Sequence, residues 1–93
     1  MPPLEEDYRN DNYWYAFVSY YRDNYLDENA IEIALKINNN LDMAVVINGK
    51  RGLEEGLWWI EQRVPALENK RPIDCLEEPN LIKRLRVCLM RMR

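Results

Sequence analysis

The sequence predicts a small all-α protein, a single-domain helical bundle of about four to five short helices. Its 93 residues suffice for one domain with a modest core. Apolar residues recur at intervals of three to four in several segments, which is the spacing of one face of a helix. Segments that alternate apolar and polar residues, as strands do, are scarce. These observations favour helices throughout.

The chain begins with two prolines and a cluster of charges that offer little to bury, so we expect residues 1–10 to form a flexible acidic arm. A first helix is expected after Asp11 and Asn12, which are both good N-cap residues. Its apolar face would comprise Trp14, Phe17, Val18, Tyr21 and Tyr25. Helix is favoured here, although aromatic residues and valine also suit a strand.

Asp27 is expected to cap a second helix. The apolar stripe of this helix consists of Ala30, Ile33, Ala34, Ile37 and Leu41. The pattern continues as far as Ile47, and Gly49 would suit a left-handed C-terminal cap. The weak helix formers Asn38–Asn40 leave open the alternative that this segment is two helices.

A further helix is expected to start near Gly52 and to stop before Pro65, because the residue before a proline disfavours helical geometry. After it, Pro72 is expected to begin a short helical turn and Pro79 the last helix. The apolar stripe of that last helix consists of Leu81, Leu85, Cys88 and Met92. Residues 11–93 would then form one helical domain.

Two tryptophans, Trp58 and Trp59, stand side by side in the third of these segments. Consecutive side chains point about 100° apart on a helix and to opposite faces of a strand, so only one ring can lie at the centre of a buried face. The other ring is either an anchor at a protein interface or packs against N-terminal aromatic residues such as Trp14 or Tyr21.

The net charge is only −3, but the charges are segregated along the chain. Residues 1–32 carry eight acidic and two basic residues, whereas residues 81–93 carry five basic residues and no acidic one. One interpretation is that the two ends are solvated faces that attract each other. The other makes the basic end a binding element for an acidic protein or a nucleic acid. A pI near 5.0 argues against phosphate binding, so a nucleic acid is not the expected partner.

The chain has no histidine, and its two cysteines, Cys75 and Cys88, are 13 residues apart. We therefore expect no metal site, no Ser-His or Cys-His catalytic arrangement and no cofactor. Glu54, Glu55 and Asp74 are carboxylates that an enzyme could use, but solvated and turn-capping roles are favoured for them. Buried free thiols in a reducing cytoplasm are favoured over a single disulfide. No apolar run approaches the length of a membrane span.

The order of motifs in the second half of the chain resembles the toxin-binding domain of the Xre/MbcA/ParS antitoxin family. That family shows an Ala-Leu-x-Trp-Leu helix, a Pro-Ala-Leu loop, a Pro-Leu-Asp-x-Leu turn and a closing helix. The matching residues here are Leu57, Trp59 and Ile60, then Pro65, Ala66 and Leu67, then Pro72, Ile73, Asp74 and Leu76, and finally Leu81, Val87 and Leu89. The resemblance covers about residues 41–92. It departs from the family where Glu68 and Asn69 replace a Gly-Gly pair, and the preceding residues do not match the family's helix-turn-helix part.

The resemblance implies a non-enzymatic module that binds and inhibits a RES-type toxin, an enzyme that consumes NAD, and it implies a homodimer. It aligns Trp59 with a core tryptophan and Trp58 with a variable position at the surface. The partner-binding residues that we expect are Trp58, Lys83, Arg84, Arg86, Arg91 and Arg93. Two alternatives stay open: an inhibitor or adaptor from a phage or mobile element that binds another host protein, and a regulator associated with nucleic acid.

Overall fold

The computed structural model describes residues 4–92, and within them four α-helices are joined by two short turns and, between the last two helices, by a longer connection over residues 60–78. The helices are α1 (Asp11–Tyr25), α2 (Glu28–Lys36), α3 (Leu41–Trp59) and α4 (Pro79–Arg91). Three 3₁₀ turns span Leu4–Asp7, Pro65–Leu67 and Pro72–Cys75. The predicted small all-α fold is confirmed. Within residues 4–92, no helix combines the length and the apolar character that a membrane crossing requires.

Helix α1 settles the choice between helix and strand in favour of helix. Its cap is Asn10, one residue earlier than predicted, because the extended backbone of Asn10 lets its side chain accept a hydrogen bond from the Tyr13 N–H at 2.8 Å. Trp14 and Val18 on this helix are buried, as the apolar spacing predicts. The side of α1 that faces the core is therefore the side that carries these apolar residues.

The three asparagines divide the second predicted segment into α2 and α3. Asn38 and Asn39 adopt left-handed backbone conformations with φ of 56° and 60°, which asparagine tolerates better than most residues. The Asn40 side chain then donates a hydrogen bond to the Ile37 carbonyl at 2.7 Å. At the other end of α2, the Asp27 carboxylate accepts hydrogen bonds from two backbone N–H groups, as predicted for an N-cap. The two-helix alternative is the one observed.

The left-handed glycine is Gly52 and not Gly49, so that prediction is wrong. Helix α3 continues through Gly49, and α1 approaches the helix closely there: a Cβ on Gly49 would lie 2.3 Å from Cδ1 of Tyr21. Gly52 has φ 77° and ψ −178° and kinks α3 at the point where a new helix was predicted to start. Gly49 therefore permits the close packing of α1 against α3, and Gly52 permits a left-handed backbone conformation.

Replacing Gly52 with alanine is expected to lower the free energy of unfolding by about 1–3 kcal/mol. A Cβ at this position would meet nothing within 4 Å, so the effect arises from the backbone conformation alone. Urea denaturation followed by circular dichroism measures it. Glu54→Ala, an exposed substitution in the same helix, is the control, with an expected change within about 0.5 kcal/mol. Equal free energies of unfolding for Gly52→Ala and Glu54→Ala would contradict the left-handed backbone conformation at Gly52.

One hydrophobic core joins the helices and the 3₁₀ turns. Trp14 from α1 and Ile33 from α2 meet Met43 and Ile47 from α3 and Leu89 from α4, and all five are at most 1% exposed. The core also contains residues that match the antitoxin motifs: Trp59, Ile60, Leu67, Leu76 and Leu89. The apolar residues of the connection between α3 and α4 therefore pack into the core.

The N-terminal segment packs against α4, so the prediction of a flexible arm over residues 1–10 is wrong for its described part. Leu4 and Tyr8 are half-buried against the core, and Glu5 accepts two hydrogen bonds from Arg84, at 2.8 and 2.9 Å. Local spacing does not identify this particular pair, because Glu5 and Arg84 are 79 residues apart in the chain. Residues 1–3 lie outside the described part of the chain, and the domain includes residues from Leu4 onward.

Candidate partner-binding surface

The two adjacent tryptophans end α3 in opposite environments. Trp59 is 8% exposed and belongs to the core, whereas Trp58 is 58% exposed. The aromatic residues of α1 stack on one another: the ring centroids of Trp14 and Phe17 lie 6.1 Å apart, and those of Phe17 and Tyr21 lie 5.4 Å apart. Among residues 4–92, none of the aromatic ring pairs includes Trp58, so its ring is left at the surface rather than packed against the N-terminal aromatic residues.

Three exposed glutamates surround Trp58, and we call these four residues the Trp58 surface. Glu54 and Glu55 precede the tryptophan by four and three residues, so they lie one helical turn away on the same side. Glu61 follows by three residues, and its N–H donates to the Trp58 carbonyl at 3.2 Å, which continues the turn. The result is a large apolar ring set among negative charges.

The charges of the Trp58 surface are only partly compensated by ion pairs among residues 4–92. Glu55 forms an exposed ion pair with Arg51 at 3.4 Å, whereas Glu54 and Glu61 form none among residues 4–92. The last turn of α3 contains no basic residue, although the end of a helix favours positive charge. A cation supplied from outside the chain would therefore be stabilised here.

A groove of about 220 Å³ shares Glu61 with the Trp58 surface. Its other lining residues are Lys36 from α2 and Leu57 and Ile60 from the end of α3. Leu35, which precedes Lys36, is 68% exposed. The ends of α2 and α3 thus present apolar side chains to solvent close to an acidic rim.

Arg84, a predicted partner-binding residue, is instead part of the folded structure. Its side chain is 9% exposed and forms a two-pronged ion pair with Glu5, together with a longer contact of 3.4 Å to Glu68. The hydrogen bond from Arg84 holds the pKa of the Glu5 carboxyl below its ordinary value. An arginine that is buried and paired within the chain is not free for the carboxylate of a partner.

Arg86 is likewise held inside the molecule. Its guanidinium lies 5.3 Å from the ring centroid of Trp14 and donates to the Tyr8 hydroxyl at 2.7 Å. It also forms ion pairs with Asp11 at 3.3 Å and Asp42 at 3.5 Å. Burial raises the pKa of the Tyr8 hydroxyl, and so does its hydrogen bond to Asp11. Arg84 and Arg86 are therefore both engaged within the chain, and a binding role for either residue stays a prediction.

The rest of the basic end is only partly free. Lys83 is exposed, and Arg91 is exposed but pairs with Asp7 at 2.8 Å. Arg93 lies outside the described residues. The acidic start and the basic end therefore attract each other, as the first interpretation of the charge pattern proposes, but through partly buried ion pairs rather than as two solvated faces.

Sequence reasoning missed the acidic rim of Trp58 and the cluster around Arg86. The rim was detectable, since Glu54, Glu55 and Glu61 stand at helical spacing from Trp58. The cluster was not, because Asp42 on α3 joins it through long-range contacts: its carboxylate also accepts the Trp14 indole N–H at 2.8 Å. Only the fold brings these groups together.

The two cysteines are buried and unbridged. Burial raises the pKa of the Cys75 thiol, and it raises the pKa of the Cys88 thiol to about 11. Both thiols are therefore protonated near neutral pH and are poor nucleophiles. Among residues 4–92, no group of three or more acidic or cysteine side chains is placed to hold a metal ion.

These features define a small all-α domain with an exposed aromatic residue in an acidic rim. No protein-family model matches the chain, and no curated protein or solved structure is significantly similar to it.

Proposed function

We propose that this protein is a non-enzymatic binding module that docks on a partner protein through the Trp58 surface. The observation that carries this proposal is the 58% exposure of Trp58 beside a buried Trp59. Exposing a large apolar ring is unfavourable in a free monomer. Tryptophan is also enriched among the residues that dominate binding energy at protein interfaces.

The acidic rim indicates the chemistry of the partner. Glu54 and Glu61 have no ion pair within the described chain, and the end of α3 lacks a basic residue. A partner with an apolar pocket edged by lysine or arginine would bury the ring and neutralise the glutamates. This differs from the expectation of a basic contact element, because Arg84 and Arg86 are engaged internally.

Within this function we propose an antitoxin-like role, in which the partner is a RES-type, NAD-consuming toxin. The support is the order of motifs over residues 41–92, together with the burial of the apolar residues in those motifs. Inhibition of this kind requires a surface that covers the toxin's cleft and no catalytic group. The unpaired thiols support an action in the reducing cytoplasm.

Trp58→Ala is expected to raise the dissociation constant for the partner by about 30-fold or more, because a central interface anchor contributes about 2 kcal/mol or more. Calorimetry with a purified RES-type toxin measures this, and NAD consumption by the toxin reports inhibition. Leu26→Ala removes an apolar side chain of similar exposure elsewhere and serves as the matched control, with unchanged binding.

The glutamates of the Trp58 surface are tested separately from the tryptophan ring. Glu54→Lys and Glu61→Lys are expected to slow association and to reverse its dependence on salt. If wild type does not bind the toxin but captures another protein in a Trp58-dependent manner, the antitoxin role is wrong and the host-protein inhibitor or adaptor is favoured. Binding that is unaffected by Trp58→Ala would contradict the surface itself.

A further inference from the structure

We infer that α1 pairs with α1 of a second copy of this chain, in antiparallel orientation, to form a homodimer. The relevant face of α1 consists of Tyr13, Ala16, Phe17 and Tyr20, which line a shallow groove of about 250 Å³. Tyr20 is 81% exposed and Tyr13 is 50% exposed. A small residue between large rings leaves room for a ring from another helix.

The spacing of the residues on this face allows it to pair with the same face of a second copy. A twofold axis between Ala16 and Phe17 would place Tyr13 of one copy opposite Tyr20 of the other. The two tyrosines are seven residues apart, about 10 Å along the helix, so both pairs of rings would form at once. Such an arrangement uses the same patch on both copies, as twofold interfaces require.

The charges at the two ends of this face select a second copy and its orientation. The Arg9 guanidinium lies 5.2 Å from the centroid of the Tyr13 ring, at the N-terminal end of the groove. Asp23 follows Tyr20 by three residues and therefore lies on the same side at the C-terminal end. Neither residue forms an ion pair among residues 4–92, although other charges around α1 and α4 do.

Antiparallel pairing brings Arg9 of each copy to Asp23 of the other, so both unpaired charges gain a partner. Parallel pairing would place like charges together, which is unfavourable. Helix α1 lies outside residues 41–92, so the dimer is independent of the proposed function. Trp58→Ala is expected to dimerise as wild type does.

Sedimentation equilibrium over a range of concentrations tests the dimer. Wild type is expected to approach twice its mass of 11.2 kDa. Tyr20→Glu, at a residue with little burial to lose, is expected to raise the dimer dissociation constant at least about 30-fold, with an unchanged helical circular dichroism spectrum. A wild type that remains monomeric, or a Tyr20→Glu variant that dimerises normally, would overturn the inference.

A charge-swap experiment tests the orientation. Arg9→Asp and Asp23→Arg are each expected to be monomeric, because each homodimer would contain two like-charge pairs. An equimolar mixture of the two variants restores both opposite pairs and is expected to form a heterodimer that weakens as salt is added. Folded variants that fail to associate on mixing, from a wild type that does dimerise, would overturn the antiparallel pairing.

Discussion

Trp14→Ala is expected to lower the free energy of unfolding by about 3–5 kcal/mol, the largest effect of any single substitution proposed for this protein. Trp14 is fully buried between α1 and the rest of the core. Its removal would leave a cavity and would withdraw the ring on which the Arg86 guanidinium lies. Since domains of this size are stable by only about 5–15 kcal/mol, the variant would be marginally folded.

Trp14→Phe separates packing from hydrogen bonding. Phenylalanine keeps a buried ring but cannot donate to Asp42, whose carboxylate accepts the indole N–H at 2.8 Å. We expect an intermediate loss of about 1–3 kcal/mol. Urea denaturation followed by circular dichroism measures both variants, and Arg22→Ala, at an exposed residue of the same helix outside the proposed dimer face, is the control. A Trp14→Ala variant within about 1 kcal/mol of wild type would contradict the central position of this ring.

Arg84→Ala is expected to lower the free energy of unfolding by about 2–3 kcal/mol. The substitution leaves Glu5, whose side chain is 16% exposed, without the two hydrogen bonds that Arg84 donates. It also removes one of the contacts that hold the Leu4–Asp7 turn against α4. The double variant Glu5→Gln with Arg84→Ala is expected to recover part of the loss, because no unpaired carboxylate remains.

The same pair predicts a pH dependence with a definite sign. Arg84 lowers the pKa of Glu5 in the folded protein below its ordinary value of 4.5, so the folded state favours the ionised carboxylate. The stabilisation is fully present above pH 4.5 and is lost as the pH falls through the lower folded pKa. The stability difference between wild type and Arg84→Ala is therefore expected to shrink on acidification below this pH.

Arg91→Ala provides the matched control for Arg84→Ala. Arg91 also pairs with an acidic residue of the N-terminal segment, Asp7 at 2.8 Å, but both side chains are exposed. We expect a change within about 0.5 kcal/mol, because exposed ion pairs contribute little. If Arg84→Ala and Arg91→Ala lowered the free energy of unfolding equally, the distinction between the shielded Arg84–Glu5 pair and the solvated Arg91–Asp7 pair would be contradicted.

Much of the local structure was predictable from the chain itself. Apolar spacing identified the helices and placed Trp14 and Val18 on the buried side of α1, and Asp27 was recognised as a cap from its position. The exact start of α1 was not predictable, since Asn10, Asp11 and Asn12 are all competent caps. Gly49 and Gly52 were confused because a close helix approach leaves no local signature.

The candidate surface was predictable only in part. That Trp58 and Trp59 must differ follows from helical geometry, and the family resemblance chose Trp59 as the core residue. The basic end resembles a free cationic patch in the sequence, whereas in the structure Arg84 and Arg86 are paired within the chain. Those partners, Glu5 for Arg84 and Asp42 for Arg86, are distant in sequence.

The sequence by itself determined the helical class, the apolar faces and the opposite charges of the two ends, because these depend on residue type and on spacing within a few turns. The tertiary structure decided which charges neutralise one another and which remain exposed. Packing the Leu4–Asp7 turn against α4 engages Arg84 with Glu5, whereas Glu54 and Glu61 stay in solvent beside Trp58. Contacts between distant segments depend on how all the helices pack together, so the remaining surface is defined only once the core has formed.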